Sequence, residues 1–399
     1  MIKLKSVIYL ISMMTLAGCS GQKQASVAVE EQSGQWILGP FVRPEGVNPV
    51  ISPQPTTFQC PMRKQPVRWE ESDTFNPAAT VKDGKIVVLY RAEDNSAQGI
   101  GKRTSRIGYA ESTDGVTMSQ ADAPVLFPSE DDFKEIEWEG GCEDPRVAMT
   151  EDGLYGSNLA SGLNTNTDVE MSSFKNRNLP RLAVATSRDL KNWTKHGLAF
   201  AKAYNGRFAN IASKSASIVT GVKDGRLVIE KVAGKYFMYW GENAVCAATS
   251  DNLTDWAPVL NENNELREIA KPRSGYFDSR LTECGPPAIK TVNGIVLLYN
   301  GKNGYKEERD PAYPAGAYCA GQFLFDANDP YKVLDRLDKP FFVPEAAFEK
   351  SGQYKDGTVF IEGLAYFKNK LYLYYGCADS QVAVAICDDN IDSKLKTHN

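Results

Sequence analysis

Histidine is nearly absent: among 399 residues only His196 and His398 carry an imidazole. That argues against a histidine-built zinc site. No two cysteines stand as a CxxC pair, so no metal or dithiol motif is expected. There is no basic stripe; 45 Lys and Arg are interspersed with 50 Asp and Glu, for a net charge of −5, which excludes a nucleic-acid binder. The glycine-rich stretches sit in β-turn contexts and lack the strand–helix setting of a phosphate loop, so no nucleotide and no cofactor is expected. Few segments show helical periodicity. The apolar run Ser6–Leu16 is too short to span a bilayer as a helix.

What that run does is mark the N-terminus. Lys3 and Lys5 precede it, and Leu16-Ala17-Gly18-Cys19 follows it as a small-residue cleavage site. The pattern resembles a bacterial lipobox. It implies a signal over residues 1–18, lipidation at Cys19, a polar tether over 19–34 and a folded part over 35–399. The expected location is the bacterial cell envelope, held at the outer membrane through the lipid on its periplasmic or surface face. Beyond Cys19 lie Cys60, Cys142, Cys246, Cys284, Cys319, Cys377 and Cys387. Several fall inside apolar strand patterns, which favours buried thiols over disulfides.

Five copies of one pattern organise residues 35–399. Each is a Gly or Asn turn, an aliphatic–aromatic strand, a loop, and a second strand of small apolar residues. The first strands are GKIVVLYRAE, GLYGSNLA, GKYFMYWGE, GIVLLYNGK and NKLYLYYGC, beginning at 84, 153, 234, 294 and 369. The copies are 60 to 81 residues apart, longer than one hairpin. Short strands at such a period predict an all-β fold, a five-bladed β-propeller with four strands per blade. A pair of β-sandwiches is the alternative. The last copy lacks an outer strand, and the segment near Trp36–Val42 is expected to supply it and close the ring.

In a propeller the inner strand ends converge on one funnel. The corresponding points of the repeats are polar: FNPAA and YRAE in copy one, GCEDPR in copy two, SKS and WGEN in copy three, TECG and YNG in copy four, IEG and YYGCADS in copy five. Carboxylates, cations and aromatics together suit a carbohydrate, because hydroxyls pair with the charges and ring faces stack on Trp and Tyr. Candidate ligand contacts include Arg146, Trp240, Tyr299 and Glu362. Arg146 could equally brace the Asp144 loop, and Glu362 could equally be a structural partner. Glu93 is expected to hold Arg91, and Asp278 and Arg280 to line the side of the departing sugar.

The pieces FNPAA, YRAE, GGCEDPRVA, the Lys214 segment, LTECGPPAI, YNG and YYGCADS occur in the order found in glycoside hydrolase family 130, which this sequence resembles from Phe75 to Cys387. The resemblance implies a five-bladed propeller acting on β-mannosides, with Asn76, Arg91, Asp144 and Asp379 around the mannosyl ring and Lys214 nearby. In the phosphorylases of that family the residue matching Asp144 is the acid, and a His-Arg-Pro run helps to hold phosphate. Here Trp240-Gly241-Glu242 stands in place of that run. Phosphate is an anion that needs cations to bind it, whereas water needs a base. The departure implies the hydrolase branch, which resembles the family's β-1,2-mannosidases, with Glu242 and Glu283 as the acid–base pair of an inverting, exo-acting β-mannosidase. A mannoside phosphorylase and a non-catalytic sugar-binding propeller are the alternatives.

Overall fold

The computed structural model describes residues 36–97, 102–162, 179–388 and 391–395. The expected signal (1–18) and tether (19–34), with Cys19, lie outside the described residues. Among those described, α-helix is confined to Lys134–Glu137 and Ile391–Leu395.

A hairpin of β1 (Thr57–Cys60) and β2 (Gln65–Arg68) precedes five antiparallel groups. Group one is β3 (Asp73–Lys82), β4 (Lys85–Glu93), β5 (Ser105–Ser112) and β6 (Ser119–Gln120). Group two is β7 (Gly141–Met149), β8 (Tyr155–Gly162), β9 (Arg181–Ser187) and β10 (Thr194–Leu198). Group three is β11 (Ala216–Lys223), with β12 (Arg226–Ile229) beside it, then β13 (Tyr236–Trp240), β14 (Cys246–Ser250) and β15 (Trp256–Pro258). Group four is β16 (Leu281–Cys284) and β17 (Ala288–Thr291), which share the partner β18 (Gly294–Lys302), then β19 (Tyr318–Phe325) and β20 (Val333–Arg336). Group five is β21 (Val359–Phe367), β22 (Lys370–Cys377) and β23 (Gln381–Cys387). Each repeated sequence pair supplies the second and third strands of its group.

Local chemistry explains the turns. β3 and β4 are joined by Asp83-Gly84 alone, and both residues have positive φ (49° and 72°). That is the mirror-image turn whose twist matches the strands. The third strands of groups one, two and three end on Ser112, Ser187 and Ser250. Each hydroxyl accepts the backbone N–H groups two and three residues on.

Packing follows the period-two rule. In β4, Val87 and Leu89 face a core shared with group two, and Ile86, Val88 and Tyr90 one shared with group five. In β13, Met238 and Trp240 face group two, and Phe237 and Tyr239 face group four. In β18, Val296 and Leu298 face group five. Five apolar clusters therefore sit between successive groups in a closed cycle. Both faces of these strands are covered, so their sequences run almost continuously apolar. The first strands touch in the same cycle: β3 with β7, β7 with β11, β11 with β17, and β21 with both β18 and β3. All seven described cysteines are buried, and no disulfide joins any two of them.

The N-terminal stretch covers the free edge of β23, though shifted from where it was expected. Val42 exchanges two backbone hydrogen bonds with Ile386, and residues 50–51 bond to Val382. Between them the Asn48 amide stands in for backbone, donating to the Val384 carbonyl and accepting its N–H. Trp36, Leu38 and Phe41 do not pair as a strand but enter the core between groups four and five. Arg43 locks the segment down. Its guanidinium grips both oxygens of the fully buried Glu349 at 2.7 and 3.0 Å and lies 4.0 Å over the Phe342 ring. Removing one partner of a buried pair is costly. Arg43→Ala is expected to lower unfolding free energy by about 3 kcal/mol, read as an earlier midpoint in urea with an unchanged slope.

Candidate active site

Three inner strands break their ladders at corresponding places. The register shifts between Phe75 and Pro77 in β3, between Glu143 and Arg146 in β7, and between Ile361 and Gly363 in β21. Proline has no N–H to donate, so within a sheet it is confined to edges and bulges. Pro77 and Pro145 follow the bulged residues Asn76 and Asp144, both at φ 46°. A bulge re-aims a side chain, and these two meet: Asn76 Nδ2 donates to Asp144 Oδ1 at 2.8 Å. The approach needs a glycine on β22, because a Cβ at Gly376 would lie 2.6 Å from Asn76 Oδ1.

Asp144 is the most heavily compensated group. Arg91 Nη1 donates to Oδ1 at 3.0 Å, and Lys214 Nζ lies 3.3 Å from Oδ2. Burial alone would raise its pKa, but Lys214, Arg91 and Arg146 outweigh burial and hold it well below the usual carboxylate range. Arg91 in turn is fixed by Glu93 at 2.7 Å and by Ser105 at 3.0 Å.

Lys214 joins the other half of the site. Its ammonium lies 3.0 Å from Glu283 Oε1 and 3.9 Å from Glu242 Oε2. Those two carboxylate oxygens therefore stand no more than about 7 Å apart. Backbone bonds set the arrangement: Gly241 N–H donates to the Lys214 carbonyl, and Cys284 N–H to that of Gly241. Thr282 N–H donates to the Glu242 carbonyl. Gly241 has φ 117°, and a Cβ there would meet the Ala244 carbonyl oxygen at 2.2 Å, so the turn that presents Glu242 requires glycine. The two glutamates differ. Glu283 is 1% exposed and accepts a short hydrogen bond from Ser215. The Glu242 side chain is 32% exposed, and its pKa is raised by partial burial, with Lys214 opposing and Glu283 and Asp144 adding to the rise.

Asp379 follows Ala378 in a left-handed turn (φ 48° and 53°) at the end of β22. Its half-buried carboxylate makes no hydrogen bond among the described residues, and Asn76 Oδ1 is buried without a donor. Burial pushes the Asp379 pKa up to about 7; Arg91 opposes this, and Asp144 and Glu93 add to it. These are open acceptors facing the same charges.

Other expected contacts fall elsewhere. Trp240 is 3% exposed and packs on Phe200 in the core between groups two and three. Tyr299 is fully buried, donating to Asp278 at 2.5 Å. Neither ring presents a face to a sugar. Asp278 does not line the site either, because Arg273 and Arg336 clamp it at 3.1 and 2.5 Å within the core. Arg146 braces: it donates to the carbonyls of Asp144 and Cys284 and pairs with the fully buried Glu362 at 2.8 Å. Burial pushes the pKa of Glu362 well up, against the pull of Arg146.

Glu143 and Ser215 were not singled out as candidates. Glu143 lies 3.3 Å from Arg91, and burial raises it to about 7, opposed by Arg91 and assisted by Asp144 and Glu93. Adjacent strand residues normally face opposite ways. The bulge cancels that alternation, so Glu143 and Asp144 address the same guanidinium. Asp-Pro within an apolar run was the available signal.

The Asp379 shift has a signed consequence. A carboxyl near 7 when folded and near 4 when unfolded stabilises the fold fully at low pH. That contribution is lost as pH rises from about 4 to about 7. Asp379→Asn removes the titration, so the variant should lose less stability than the wild type between pH 4.5 and pH 8. Equal losses in urea midpoints would refute the assignment.

The family profile described as beta-1,4-mannooligosaccharide phosphorylase, Glyco_hydro_130, matches residues 46–394. A 1,2-beta-oligomannan phosphorylase of Thermoanaerobacter sp. (strain X514) is 30% identical over 329 residues, 82% of this chain and 94% of its own. A solved structure from Bacteroides ovatus ATCC 8483 is 70% identical with TM-score 0.83, covering 91% of this chain and all of that one. Another, solved for GH130 glycoside hydrolases that target beta-1,2 mannosidic linkages in Candida mannan, is 56% identical with TM-score 0.85, covering 91% and 98%. With Asn76 and Asp144 brought together by bulges beside a cluster of charges, and a match along most of its length, the chain belongs to glycoside hydrolase family 130, as an enzyme acting on mannosides.

Proposed function

We propose that this enzyme hydrolyses β-1,2-linked mannosides from the chain end, with inversion, using Glu242 and Glu283 as its acid and base. The observation that carries the reading is that one ammonium, Lys214, holds both carboxylates within about 7 Å of each other. Inverting pairs need roughly 6.5–9.5 Å to admit a water, and that bound reaches the short end of the window. One glutamate takes a proton from the water as it attacks the anomeric carbon. The other gives a proton to the departing oxygen. Asp144 stays ionised beside Lys214 and Arg91, which suits orienting a sugar hydroxyl rather than donating a proton. Asn76, Arg91, Lys214 and Asp379 surround the same space. The five strand groups in their closed cycle are read as the five blades of a propeller, with this cluster at one mouth of its channel. Cys19 is proposed as the lipidated residue that tethers the enzyme to a membrane of the cell envelope.

Phosphorolysis is the second reading, favoured by the activities of the more distant relatives. It needs an anion beside the anomeric carbon, where Glu242 and Glu283 already place negative charge. Incubation with β-1,2-mannobiose, followed by proton NMR, separates the two. Hydrolysis gives α-mannose first, at a rate independent of phosphate. Mannose 1-phosphate as the product would overturn the reading. Glu242→Gln and Glu283→Gln should each cut kcat by about 10² or more while the unfolding midpoint stays near that of the wild type. Near-native turnover in either would make that residue structural.

A further inference from the structure

Among the described residues Lys302 is a cation without an ion-pair partner. It ends β18, on the strand opposite Leu281 of β16. In the same ladder Glu283 pairs with Asn300, so Lys302 lies two residues along on the face that carries Glu283. Its side chain is half-buried, yet its ammonium makes no ion pair and no hydrogen bond among the described residues. It lies instead among aromatic rings: 4.7 Å from Tyr318, 5.1 Å from Tyr354 and 5.9 Å from Tyr305. Tyr318 and Tyr354 meet edge to face, which makes a wall of them. Its three donors have no protein acceptor among the described residues, and burial lowers the Lys302 pKa, opposed by Asp356, Asp379 and Glu283. Its charge also reaches Glu242.

Tyr305 stands beside it, 55% exposed. An exposed aromatic on a floppy loop would be unremarkable, but this loop is pinned. The Asn303 amide donates to the carbonyls of Asp310, Tyr313 and Pro314, and Ser279 accepts the Gly304 N–H. The Tyr305 hydroxyl reaches Asp356 at 3.3 Å. A rigidly held ring face, unpaired donors and a nearby carboxylate are the elements that grip a sugar: stacking for the apolar face and charged partners for the hydroxyls.

We propose that Lys302 and Tyr305 form the subsite for the departing saccharide, on the leaving-group side of Glu242 and Glu283. This rests on the glycoside-cleaving reading of the site, and it holds whether water or phosphate is the nucleophile. Lys302 donates to hydroxyls of that sugar and Tyr305 carries its ring. The mannosyl unit that is released sits among Asn76, Arg91, Asp144 and Asp379, of which Asp379 also acts on the Lys302 charge. The subsite accounts for recognition that Trp240 and Tyr299, buried in the core, do not provide.

Binding tests this apart from turnover. In a Glu242→Gln background, calorimetry with β-1,2-mannobiose should show Kd raised about tenfold by Lys302→Met, the effect of losing a hydrogen bond from a charged donor. Tyr305→Ala should weaken binding similarly; the ring is on the surface, so folding is not at stake. Unchanged Kd in both variants would overturn the subsite, whatever the activity assays show. No binding of mannobiose before either substitution would overturn the functional reading itself. With Glu242 restored, kcat/KM should fall about tenfold more on mannobiose than on β-mannosyl fluoride, whose leaving group fills none of the subsite. Equal losses on the two substrates would mean that the residues act on the fold or on the reacting centre, and would refute the assignment.

Discussion

One ammonium makes the site possible. Asp144, Glu242 and Glu283 come from three strand groups and crowd a common space, and three carboxylates so placed repel one another at a steep cost in a low-dielectric surround. Lys214 lies within 3.3 Å of two of them and 3.9 Å of the third. Its own pKa is driven well up, because those carboxylates outweigh the burial that would lower it. Arg91 and Arg146 complete the compensation on the far side of Asp144. The cluster is a balance of charges rather than a stabilising core, and a buried ionic cluster of this kind is retained for function more readily than for stability.

The fold supplies the positions by breaking its own rules. Five apolar interfaces in a cycle demand regular strands, and most strands comply, buried on both faces. At the inner ends regularity is abandoned. Asn76 and Asp144 take left-handed backbone and are followed by proline, and Ser215, Ala378 and Asp379 also have positive φ. Such conformations cost of order 1–3 kcal/mol each and persist only where the surroundings enforce them. Here they turn side chains that would otherwise alternate between two cores toward a single centre.

Chemistry divides between the two sides of Lys214. On one side Asp144 is locked as an anion by three cations and an amide. On the other, Glu242 is half open and holds its proton more tightly than an ordinary glutamate. Groups whose environments pull their proton affinities apart are the raw material of acid–base catalysis.

Much of this was legible in the chain. The five-fold spacing of turn and strand announced the strand groups, because a strand buried on both faces needs a continuous apolar run and a two-residue turn needs Asp-Gly. The bulges were written as Asn76-Pro77 and Asp144-Pro145, and the resemblance named the charged residues that meet. Other features depended on distance in three dimensions. Whether Arg146 and Glu362 brace or bind, and whether Trp240, Tyr299 and Asp278 face a sugar or a core, turns on which group packs against which. No local pattern encodes that. Glu143 escaped because strand alternation pointed it the wrong way until the bulge reversed it. Lys302 and Tyr305 escaped because a lone lysine at a strand end reads as solvated, and only folding brings three tyrosines around it. The sequence by itself determined the strands, their order and the residues able to do chemistry, since these follow from periodicity and residue type. The tertiary structure alone decided which carboxylates share Lys214, because electrostatic coupling falls off with distance through space and is indifferent to separation along the chain.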